Sequence, residues 1–128
     1  MEHMSVHDLV RLVRKYYGSV ADLEGSGIEA FDLLFVRDKI HSLLEESTPE
    51  QRLLGALFEH IHELDRLLWE ERETFLRVVG EEELQHARQQ QRSPRSHWWW
   101  YLDELKTLPQ SLREQRDRLA RAFVPANE

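Results

Sequence analysis

The longest unbroken stretch of the sequence runs from Pro49 to Val79, with Gly55 its only glycine and no second proline before Pro94. Leu54, Ile61, Leu68 and Phe75 recur every seven residues, and Leu57, Leu64 and Val78 form a parallel row. A seam of this kind belongs to a helix packed lengthwise against antiparallel neighbours at a shallow angle. Glu71 is the one charged residue in the seam. Thr48 is placed to cap the helix, and Pro49 sits at the first helical position, where a missing N–H costs nothing. A helix this long is the natural axis of a small domain.

The flanking segments are short enough to pack along it. Val6, Leu9, Val10, Val13, Tyr16 and Tyr17 define one apolar face of a first helix, which should start at Ser5 and stop at Gly18. A second helix is expected from Gly27 to Glu46. Leu33, Val36, Ile40, Leu43 and Leu44 lie on one side of it, and Ile28, Phe31 and Phe35 on the other. A helix apolar on two sides is covered on two sides.

Beyond Gly80, residues 81–93 carry only Leu84 and Ala87 as apolar side chains, which suggests a polar arm or a frayed continuation. Structure should restart at Ser93-Pro94, with a helix through HWWWYLDELKT. At 100° per residue, Trp98, Tyr101, Leu102 and Leu105 would face inward, Trp99 would flank them and Trp100 would point away. Pro109 should begin a last helix from Gln110 to about Phe123, with residues 125–128 a disordered tail. The pattern predicts a single all-α domain over residues 1–128, an antiparallel bundle of about five helices built along one long central helix (about 49–79).

Composition narrows the function. At 41% apolar and 32% charged, the chain can build a core and is too apolar for disorder. It has no cysteine, which removes disulfides and thiol chemistry. No apolar run approaches the roughly 18 residues of a membrane span, and MEHMSVHDL lacks the marks of a signal peptide. A cytoplasmic protein with no membrane partner is therefore expected. The net charge of −7 opposes non-specific binding to nucleic acid. That charge is uneven: residues 1–91 hold 10 basic and 19 acidic groups, residues 92–124 hold 7 and 4.

Three patterns carry possible chemistry. Glu59 with His62 and Glu83 with His86 are two E-x-x-H elements, the kind that binds a metal pair inside ferritin-like bundles. On the central helix, however, Glu59 lies roughly 170° from the seam, pointing outward. The second pattern is Arg92-Ser-Pro-Arg-Ser-His97. This R-x4-H spacing resembles that of HEPN-domain ribonucleases, which implies RNA cleavage with His97 in acid–base work and Arg92 on the phosphate. Ser93 stands where that family usually has Asn, Asp or His. The third pattern is the run Trp98-Trp99-Trp100-Tyr101. Consecutive helical residues cannot all face one core, so Trp99 and above all Trp100 become candidate partner anchors.

A stripe of Phe58, His62, Trp69, Leu76 and Val79, interrupted by Asp65 and Arg72, lies on a second face of the central helix. Mixed apolar and charged faces with a Trp are typical of wet protein interfaces. The sequence thus predicts a non-enzymatic protein–protein interaction module of the adaptor, antitoxin or immunity-protein kind, without a cofactor. Its partner-binding residues would be Phe58, Trp69, Leu76, Trp99 and Trp100. The partner would be a second copy in a homodimer, or another protein with a basic patch that complements residues 1–91.

Overall fold

The computed structural model describes residues 6–26, 29–46, 55–110 and 112–114. The described residues are mostly helical, with no strand among them, and the helices pack against one another as a bundle. In chain order they are α1 (Val6–Ala21), α2 (Leu23–Ser26), α3 (Glu29–Glu46), α4 (Gly55–Glu70), α5 (Arg72–Val79) and α6 (Glu81–Gln91). A single 3-10 turn, Trp98–Trp100, follows. No helix among the described residues is long and apolar enough to cross a membrane.

The first helix buries Leu9, Val13, Tyr16 and Val20, which are spaced for one helical face. It runs through Gly18 instead of stopping there, and Tyr17 is left 52% exposed. Its main neighbour is α3. That helix is apolar on two sides, as its pattern requires: Leu33, Val36 and Ile40 are buried on one. On the other, Phe31 and Phe35 pack against Trp100.

The long central helix is divided. Glu71, the one charged residue in the seam, separates α4 from α5 with φ −99° and ψ 20°. Backbone bonds from Glu71 N to Leu67 O and from Phe75 N to Glu71 O carry the chain across the break. A buried seam position would strip water from a carboxylate, and the local bend leaves Glu71 exposed. Arg72 fills the gap by donating from Nη1 to Trp69 O at 2.8 Å. The expected start of this helix, residues 49–54, lies outside the described residues, as does 115–128 with its expected tail.

Residues 81–91 are neither a frayed arm nor a continuation. Gly80 adopts φ 93° and ψ 128°, ending α5 and starting α6 in a new direction. A φ of this sign is one that residues with side chains rarely adopt, so the turn favours glycine. The new helix docks on α5 and buries Leu84 completely.

The segment expected to form a helix through HWWWYLDELKT forms the 3-10 turn and then irregular turns. An α-helix could bury only part of the Trp run. Folding as a short turn against α3 buries Trp98, Trp99 and Trp100 together, at 4%, 1% and 0% exposure. Arg88 of α6 clamps the far side, donating to Trp100 O at 2.8 Å and to Asp103 Oδ1 at 2.6 Å. The bond to Asp103 holds the Arg88 guanidinium above its ordinary range, outweighing the opposing effect of burial, with the charges of Asp103 and Glu104 adding to it.

Candidate functional site

Two helices converge on a carboxylate inside the bundle. Asp65 of α4 is fully buried and accepts from Tyr16 Oη of α1 at 2.6 Å. It also accepts a bidentate pair from Arg37 of α3, Nε to Oδ1 and Nη2 to Oδ2, both at 2.9 Å. Desolvation raises the Tyr16 hydroxyl well above its usual range, and the Asp65 charge adds to this, so it remains a donor. Burial alone would lower the Arg37 guanidinium, but Asp65 reverses that and leaves it raised. The planar fork matches a carboxylate two bonds at a time. Arg37 Nη1 is buried without a hydrogen-bond partner among the described residues. The guanidinium carbon instead lies 4.3 Å from the Trp99 ring centre, where the negative π face compensates part of that charge.

The next residue of α3 holds the Trp turn. Asp38 accepts from Trp99 Nε1 at 2.8 Å, and from Trp100 Nε1 at 3.0 Å and 3.1 Å on its two oxygens. The Nδ1 of His97 lies 3.1 Å from Asp38 Oδ1. A carboxylate only accepts, so that nitrogen is the donor. The His97 ring stacks on Trp99 at 4.8 Å and meets the edge of His41 at 4.7 Å. Burial lowers the affinity of His41 for a proton, Glu45 at 3.2 Å opposes this, and His97 and Arg37 add to it.

One half-exposed carboxylate therefore satisfies two buried indole N–H groups and an imidazole. Replacing Asp38 by alanine strands those donors. Each unmet buried donor costs about 1–3 kcal/mol, so a loss of roughly 2–4 kcal/mol is expected in urea unfolding. Wild-type stability in Asp38→Ala would show that the indoles do not depend on this residue.

The opposite face of the Trp turn supports an open groove. Phe31 of α3 and Glu82, Glu83, His86 and Ala87 of α6 line a cavity of about 460 Å³. Phe31 and Ala87 are half-buried, while the two carboxylates and His86 are exposed. Glu81, Glu82 and Glu83 follow one another in the first turn of α6, where the helix dipole favours negative charge. Glu82 and Glu83 make no ion pair with any described residue.

The residues singled out by sequence fare differently. Trp99 and Trp100 are buried within the chain, so neither forms an outward-facing anchor. Trp69 is also buried, at 8% exposure, beneath the Arg72 guanidinium at 4.0 Å from its ring. Phe58 and Leu76 are half-buried. The stripe that carried them is drier than its charges suggested, because Asp65 is neutralised internally by Arg37.

Arg92 is exposed at the left-handed end of α6, with φ 53° and ψ 46°, while His97 is committed to Asp38. Among the described residues the two make no hydrogen bond to each other. Glu59 is half-buried and His62 buried on α4, whereas Glu83 and His86 are exposed on α6. No three His, Asp or Glu side chains among the described residues are grouped to hold a metal ion. The residues the sequence did not point to are Arg37, Asp38 and His41. Their only signal was an Arg-Asp pair within a helix apolar on two sides.

Family models, characterised proteins and solved structures were all compared with this chain, and none matches it.

Proposed function

We propose that the chain is a non-enzymatic helical protein–protein interaction module of the cytoplasm, of the adaptor, antitoxin or immunity-protein kind. Its docking surface is the α3–α6 groove, and its occupant is a cationic amphipathic helix of another protein. The observation that carries this is the pairing of an apolar floor, Phe31 and Ala87, with a rim of unpaired carboxylates, Glu82 and Glu83. An apolar anchor flanked by Arg or Lys complements both parts, and the groove-bound helix is a recurring recognition mode. Charge supports the same partner: residues 1–91, which contain the groove, hold 19 acidic against 10 basic groups. The Trp run contributes from beneath, since Trp100 packs under Phe31 at 6.5 Å.

The test is a titration of the isotope-labelled protein with a synthetic helical peptide bearing leucines on one face and flanking arginines. Resonances of Phe31, Glu82, Glu83, His86 and Ala87 should shift. The double reversal Glu82→Lys, Glu83→Lys should weaken binding by about tenfold or more, each exposed pair contributing up to about 1 kcal/mol. Equal binding by the reversed variant, or shifts confined to another face, would remove the groove from the proposal. Sedimentation of the protein alone covers the second-copy alternative. A dimer abolished by the same reversal would give the groove to a second protomer and overturn the separate-partner reading.

A further inference from the structure

We infer that the Asp38 cluster is an acid-sensitive latch that regulates the α3–α6 groove, an inference that rests on that groove being the docking surface. The mechanical link is short. Phe31, the aromatic part of the groove floor, stands 6.5 Å from Trp100, and Phe35 meets the same indole edge-on at 5.2 Å. The Trp100 N–H is held by both oxygens of Asp38. Whatever loosens the Trp turn from Asp38 unseats the ring beneath Phe31.

The latch sits against one side chain suited to respond to mild acid, His41. Trp99 has the Arg37 guanidinium at 4.3 Å, the His97 ring stacked at 4.8 Å and the His41 ring at 5.8 Å. The two imidazoles are themselves only 4.7 Å apart. From α3, the charged and titratable groups around this pair are Arg37, Asp38, His41 and Glu45; from the Trp turn, the group is His97; from α1, Asp8 and Arg11 line a cavity with Asp38 and Lys39. Asp65 of α4 is already occupied in full by Arg37 and Tyr16. Protonation of His41 would place a second cation beside Trp99, next to Arg37, with Asp38 and the exposed Glu45 as the nearest opposing charges.

The direction follows from His41. In the closed arrangement burial, with His97 and Arg37, keeps its affinity for a proton below the ordinary value. An open arrangement that solvates His41 binds more protons, so protons favour opening. Closure is complete above the ordinary histidine range near 6.5 and is lost progressively as pH falls below it. A half-exposed imidazole can make this change without unfolding the domain.

The indole N–H signals of Trp99 and Trp100 report the latch directly, because both donate to Asp38. Between pH 7.5 and 5.5, the wild-type protection factors of these two groups should fall by about tenfold. His41→Gln, a half-exposed neutral replacement, should keep them protected. Affinity for the arginine–leucine peptide should fall in parallel, measured in a His86→Gln background so that the groove's own histidine adds no charge. Unchanged indole protection in the wild type, or equal loss in His41→Gln, overturns the latch whatever the peptide does. Indoles that open while peptide affinity stays constant overturn the link to the groove. A peptide that fails to bind at pH 7.5, with the indoles opening on schedule, assigns the failure to the docking surface and withdraws the regulatory role with it.

Discussion

Replacing Asp65 by alanine should cost about 3–5 kcal/mol, the range for breaking a buried ion pair from one side. In a domain of this size that corresponds to a fall in Tm of roughly 10–20 °C. The reason is the group left behind. Asp65 is 0% exposed and neutralises Arg37, itself 4% exposed with one nitrogen already unpartnered. Without the carboxylate, a buried guanidinium and the buried Tyr16 hydroxyl both lose their acceptor. The double variant Asp65→Leu, Arg37→Leu removes charge from both sides and should be less destabilised than Asp65→Ala alone, because apolar replacements of buried pairs are often near neutral. Urea unfolding of the three proteins checks this. Equal losses for the single and double variants would show that the ion pair is not the source of the cost.

That pair also marks where sequence reading reached its limit. Helix periodicity locates faces well: Leu9, Val13 and Tyr16 on α1, Leu33, Val36 and Ile40 on α3, and Ile61, Leu64 and Leu68 on α4 are buried as their spacing requires. Periodicity treats a charge on such a face as an interruption, so Asp65 read as evidence of a wet surface. Whether a buried charge is tolerated depends on a partner 28 residues away, here Arg37, and no local pattern encodes that pairing. Glu71 had the reverse character. It stood out as the flaw in the heptad seam, and the helix divides there.

Trp100→Ala should destabilise the domain by about 3–5 kcal/mol, the cost of emptying a core aromatic site. The indole is fully buried, packs against Phe31 and Phe35, and donates to Asp38. Trp100→Phe keeps the ring contacts and loses the N–H, so it should cost only about 1–3 kcal/mol, chiefly through the acceptor left behind. Denaturant midpoints separate the two variants. Wild-type stability in Trp100→Ala would instead support an outward-facing indole. The sequence expectation of such an indole came from assuming a helix through HWWWY. The run folds as a 3-10 turn because three large side chains gain burial together that way, and because Asp38 can accept from Trp99 and Trp100 at once. The groove was hidden by a separate expectation, since a polar arm over residues 81–93 would have had no floor. It exists because Gly80 turns the chain and Leu84 anchors α6.

The distance along the chain between Asp38 and the indoles it holds, 61 and 62 residues, has a consequence for biosynthesis. A polypeptide made from its N-terminus has Tyr16, Arg37 and Asp65 in hand while the Trp run is still missing. The ion pair can therefore close first, leaving Phe31, Phe35 and one face of Arg37 bare until residues 98–100 arrive. The Trp turn is the capstone of the bundle. A chain cut short just before Trp98 would present that bare apolar face permanently, the kind of surface that draws chaperones and aggregates, whereas the longer chain seals it with Trp98, Trp99 and Trp100.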